Sequence, residues 1–145
     1  MYKIFNKYYE FIIKVDLINT LNLEEIEPLL KDIYDHANEK RIYLLTDASK
    51  VSYNFSIKDL YFISEVIKKY IEKANVKVFE AMIINSPIET AIAFYLLELR
   101  NHSPKFMVKY ETKIFYTEKA ALNWLLINKF GINQLQIKSY SSAQQ

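Results

Sequence analysis

Two kinds of segment alternate along the chain: short runs dense in β-branched and aromatic residues, and longer runs whose apolar positions recur at helical spacing. Tyr2–Phe5 and Tyr8–Val15 are of the first kind and flank Asn6-Lys7, which predicts a hairpin turning at that pair. Leu23, Ile26, Leu29, Leu30, Ile33, Tyr34 and Ala37 then follow helical spacing, with Asn22 and Glu25 as a capping box. Pro28 falls inside that pattern, so the helix either kinks there or begins its regular part there, because proline lacks an amide donor and crowds the preceding turn. Ile42–Leu45 is an unbroken apolar run of strand formers that Asp47 ends, as expected of a strand covered on both faces.

A polar loop, Ala48–Tyr53, leads to Ser56 and Asp59, spaced as the cap and third residue of a second helix. That helix should turn Ile57, Leu60, Tyr61, Ser64, Ile67, Ile71 and Ala74 inward. Val76–Ile84 reads as the next strand, and Asn85-Ser86-Pro87-Ile88-Glu89 as a helix start with Ser86 as cap, Pro87 at the first helical position and Glu89 completing a box. The third helix holds Ala91–Leu97 without a polar break, so it cannot keep a wholly polar outer face, and it should stop between Asn101 and Pro104. Lys113–Tyr116 predicts the last strand, Thr117 caps the last helix, and Gly131 ends it. Successive strand-to-helix units define an α/β fold: one mostly parallel five-stranded sheet with an N-terminal hairpin and four helices. The domain should span residues 1–131, and the polar tail 132–145 should pack on a neighbouring surface or chain.

Composition narrows the partners. At 145 residues and 51% hydrophobic, the chain can bury one substantial core. Nineteen basic against 17 acidic side chains leave a net charge of +2, which supplies no electrostatic reason to bind nucleic acid. There is no cysteine, which removes thiolate chemistry and suits a reducing, cytoplasmic setting. Gly131 is the sole glycine, so neither a GxGxxG fingerprint nor a Walker A loop can form, and no cofactor is expected. No stretch reaches the roughly 18 apolar residues of a membrane span.

Polar candidates cluster where strands hand over to helices: Asp47, Ser49, Asn54, Ser56 and Asp59 at the first handover, Asn85, Ser86 and Glu89 at the second. Asp47 could act as a general base, but aspartate at such a place more commonly ties its carboxylate to nearby amides. His36 and His102 have no companion at ligand spacing, so no metal site is expected. Glu24-Glu25 suits the positive end of a helix, and adjacent helical residues diverge, which argues against a catalytic pair. Without a nucleophile beside an oriented base, no enzyme is expected. The surplus of apolar side chains on the third helix suits a protein partner or a second copy of the chain. It equally suits a small apolar ligand held among Phe79, Met82, Phe94, Tyr95 and Met107.

The segments YLLTDASKVSYNFSIKDL, AMIINSPIETAIAF and KIFYTEKAALNWL together resemble the STAS domain, in particular the SpoIIAA-like (anti-sigma-factor-antagonist-like) proteins of bacteria, over Tyr8 to Leu126. The resemblance implies a non-catalytic regulatory or scaffolding module that binds protein partners. It also implies a phosphorylatable serine at the start of the second helix, which falls near Ser56. Phe55 stands where that group carries aspartate, and Ile57 and Lys58 replace its Ser-Gly, so the context of the phosphorylation switch is lost.

Replacing Ser86 by alanine should cost about 1 kcal/mol, the usual effect of losing a helix N-cap. Denaturant unfolding of the variant checks this, and an unchanged midpoint would move the helix start elsewhere.

Overall fold

Five strands lie side by side in chain order, β1 antiparallel to β2 and every later pair parallel. A computed structural model describes residues 1–9, 11–37, 40–101 and 109–131. Its elements are β1 (Tyr2–Tyr8), β2 (Ile12–Leu21), α1 (Ile26–Asp35), β3 (Arg41–Tyr53), α2 (Ile57–Lys73), β4 (Lys77–Ile83), α3 (Pro87–Asn101), β5 (Tyr110–Phe115) and α4 (Glu118–Phe130). Crossovers between parallel strands share one hand, so consecutive strands added in one direction carry their helices on one face. Buried residues of α1, α2 and α3 accordingly pack with Ile13, Val15, Ile42, Leu44 and Val78. Strand side chains alternate between faces, and the other set, Ile12, Tyr43, Leu45, Phe79, Ala81 and Ile83, meets Ala121, Leu122 and Leu125 of α4.

The expected fold class is observed, and three local expectations are corrected. The hairpin does not turn at Asn6-Lys7: β1 continues through both, and the reversal lies past Tyr8, where Tyr9 takes φ +51° and its carbonyl accepts the Phe11 amide at 2.8 Å. Nor does Asp47 end its strand, since β3 runs on through Ala48–Tyr53, the segment expected as a loop, and pairs with β2 as far as Leu21 opposite Tyr53. Pairing with β4 stops at Asp47 opposite Ile83, so the last part of β3 has β2 as its paired neighbour. Finally, the inner face of α2 is Leu60, Ile63, Ser64, Val66 and Ile71, whereas Ile57 and Tyr61 are 69% and 56% exposed.

Helix ends follow the expected chemistry. Glu25 accepts the Asn22 amide at 2.9 Å ahead of a 3-10 turn, Leu23–Glu25, which lets α1 begin before Pro28, a residue tolerated in a first turn. Ser56 Oγ accepts the Asp59 amide at 3.2 Å while Asp59 accepts the Ser56 amide at 2.8 Å. Thr117 Oγ1 accepts the Ala120 amide at 3.2 Å, and Gly131, at φ +73°, closes α4 by donating to the Ile127 carbonyl at 2.7 Å. His102 and the tail 132–145 lie outside the described residues.

The hairpin is tied to α4 by the Tyr8 hydroxyl, which donates to Glu118 at 2.7 Å; that bond, with burial behind it, pushes the phenol up to about 12 from 10.0. Because the folded value is raised, this contribution to stability is complete below pH 10 and is lost as pH rises from 10 through 12. Burial and acidic neighbours raise Tyr2 and Tyr53 as well, so an alkaline titration followed by phenolate absorbance should show several late tyrosines, one fewer in Tyr8→Phe.

Candidate functional site

On β4 the residues facing α1–α3 are Val78, Glu80 and Met82, so an acid stands in the middle of an apolar strand. Glu80 is 7% exposed and, with Thr46 and Ser64, one of three buried polar side chains among the described residues. Strand register delivers its partners. Thr112 of β5 lies directly opposite Glu80, and Thr46 of β3 lies diagonally, two residues beyond Glu80's own neighbour Leu44. Thr46 Oγ1 donates to Glu80 Oε1 at 2.7 Å and Thr112 Oγ1 donates to Oε2 at 3.0 Å, so each carboxyl oxygen takes one hydroxyl.

Glu80 borders a cavity of about 130 Å³ between the sheet and α1, α2 and α3. Its walls are mainly aliphatic, with Leu29 and Ile33 from α1, Ile63 from α2, and Ile92, Ala93 and Leu96 from α3. Polar groups reach it at few points: Glu80, Thr46 and Thr112, then Ser64 and Tyr53. Ser64 is 3% exposed and its hydroxyl has no hydrogen-bond partner among the described residues, an uncommon state for a buried polar atom. Burial pushes the Tyr53 phenol well above its ordinary range, and the charges of Glu80 and Glu89 push it further. Tyr53 also stacks on Phe55 at 5.6 Å, and both rings line the cavity.

The polar residues singled out from sequence occupy structural places. Asp47 Oδ1 accepts both the Ser49 amide, at 3.0 Å, and the Ser49 hydroxyl, at 2.6 Å. Across this point β3 advances three residues, Asp47 to Lys50, while β2 advances two, Asp16 to Ile18, so Asp47 holds an amide that a β-bulge has freed. Ser56 and Asp59 cap α2, and Asn54 and Asn85 are exposed. Ser86 Oγ accepts the Glu89 amide at 3.3 Å, and the return contact comes from Thr90, whose hydroxyl donates to the Ser86 carbonyl at 2.6 Å. His36 Nδ1 sits 2.5 Å from the Asp32 carbonyl at the end of α1.

The apolar candidates separate. Met82 lines the cavity. Phe79 does not: it lies on the opposite face, its ring stacked on Tyr43 at 5.4 Å and meeting Trp124 edge-on at 6.3 Å. Phe94 and Tyr95 point outward, 57% and 37% exposed, because the inner face of α3 is built from Ile92, Ala93 and Leu96. Met107 lies outside the described residues. Sequence reasoning passed over Glu80, Thr46 and Thr112, yet a lone acid inside a buried strand is a legible signal, since Glu is almost never buried without partners.

No protein-family model matches the chain, and no curated protein is similar to it in sequence. Among solved structures, the chain is similar to an uncharacterised DUF3478-family protein with a SpoIIAA-like fold from Shewanella loihica PV-4, at 17% identity and a TM-score of 0.54. The match covers 86% of this chain and 92% of that one. Strand order, the antiparallel first pair, the three helices on one face and this likeness agree on one architecture: the chain has a SpoIIAA-like, STAS-type fold.

Proposed function

We propose that the chain is a non-catalytic binding module whose interior cavity takes a small, mostly apolar molecule. The observation that carries this reading is the cavity of about 130 Å³ with aliphatic walls. Protein interiors pack as densely as organic crystals, and an apolar void of roughly 150 Å³ is enough to bind benzene. The hydroxyls of Ser56 and Ser86 are engaged as helix caps and the Asp47 carboxylate is engaged with Ser49, which favours binding over catalysis.

A second reading, a regulatory protein partner or a second copy docking on α3, is favoured by a different observation. Ile88 is 71% and Phe94 57% exposed on α3, beside α2 with its exposed Ile57 and Tyr61. Large apolar side chains exposed on neighbouring helices are a usual mark of an interaction surface.

Saturating benzene should raise the thermal midpoint of the natural chain and leave that of Ala93→Leu unmoved, because the larger side chain fills the void. A natural chain indifferent both to benzene and to polar-headed molecules of its size would end the ligand reading. For the second reading, light scattering should give a mass that grows with concentration and falls back in Phe94→Glu; a constant monomer would exclude self-association.

A further inference from the structure

The cavity's polar inventory is lopsided. Glu80 is acceptor-only when ionised, with about four lone-pair sites, of which Thr46 and Thr112 occupy two. Ser64 adds a buried oxygen without a partner among the described residues. Buried charges are ordinarily paired, yet none of the ion pairs among the described residues includes Glu80. What the site lacks is a cation with several donors. An ammonium group carries three N–H donors and no acceptor, the complement of what Glu80 and Ser64 offer.

We propose that the cavity's occupant is a small primary amine, its ammonium group seated on Glu80 and Ser64 and its compact hydrocarbon body against the aliphatic side chains of α1 and α3. The proposal rests on the ligand reading above and narrows it to one chemical class. A carboxylate on the same body would meet Glu80 as a like charge. An alcohol brings one donor where three are wanted, and a hydrocarbon brings none. The volume fits a body of about five or six heavy atoms, close to benzene in size.

Calorimetric titration of the whole chain at neutral pH with isoamylamine, isoamyl alcohol, isovalerate and benzene tests this. The amine should bind at least about tenfold more tightly than the alcohol, and isovalerate should not bind, as expected for a charge-assisted contact. Glu80→Gln, which keeps the side chain's shape, should weaken the amine roughly 10- to 100-fold and leave benzene unchanged. Ser64→Ala should weaken the amine by a smaller factor, again without touching benzene. Benzene binding with no preference for the amine, or an amine preference that survives Glu80→Gln, overturns this proposal and leaves the ligand reading standing. Failure of both benzene and amine overturns the two together. If Glu80→Gln does not fold, judged by circular dichroism, the head-group series on the natural chain and Ser64→Ala decide.

Discussion

The shared hand of the crossovers is the constraint on which the rest depends. β2 to β5 are laid down in order and in one direction, so α1, α2 and α3 have no choice of face. The opposite face has an apolar centre of its own, and α4 covers it: Ala121 and Leu125 are wholly buried against Leu45, Ala81 and their neighbours. Four inter-strand spacings make the sheet about 19 Å wide. A helix of 13 residues is about 20 Å long but only about 10 Å thick, so it leaves margins uncovered. Aromatic rings and lysines fill them. Lys14 lies over Tyr8 at 5.0 Å, Lys77 over Phe79 at 4.7 Å and Lys113 over Phe115 at 5.8 Å, and the Lys14 ammonium also pairs with Asp16 and Glu118, each at 3.6 Å.

Three helices over five strands bring a different difficulty. Their inner faces must meet one another and the sheet at once, and around Glu80 they leave a gap. The acid, its two threonines, Ser64 and Tyr53 bring polar atoms to walls that are otherwise mainly aliphatic, and a polar group stays in such a place at a cost in stability. Groups kept at that cost are where binding specificity usually resides.

Much of this was legible beforehand. Apolar periodicity and cap chemistry located the central strands and helix starts, because Ser56, Ser86 and Thr117 act through contacts three residues away that need no tertiary context. What stayed hidden depends on neighbours distant in sequence. The polar stretch Ala48–Tyr53 looks like a loop until β2 is placed alongside it, and Ile57 and Tyr61 look like core until the rotation of α2 is fixed by Leu60 and Ile63 beneath it. Glu80 escaped notice because its reason for being there, two hydroxyls on two other strands, lies 34 residues before it and 32 after. Local rules reach one helical turn, and this site is assembled across the sheet.

The surplus residue in β3 reverses the odd-even parity of everything after it. Up to Thr46 the even-numbered side chains, Ile42, Leu44 and Thr46, look toward the three helices; past the bulge that direction belongs to Val51 and Tyr53. Were the strand regular, Ser52 would occupy the cavity wall and the Tyr53 ring would swing to the far side. Asp47, which never touches the cavity, therefore acts as a phase marker for it: by holding the Ser49 amide it decides which half of a strand the interior gets to see.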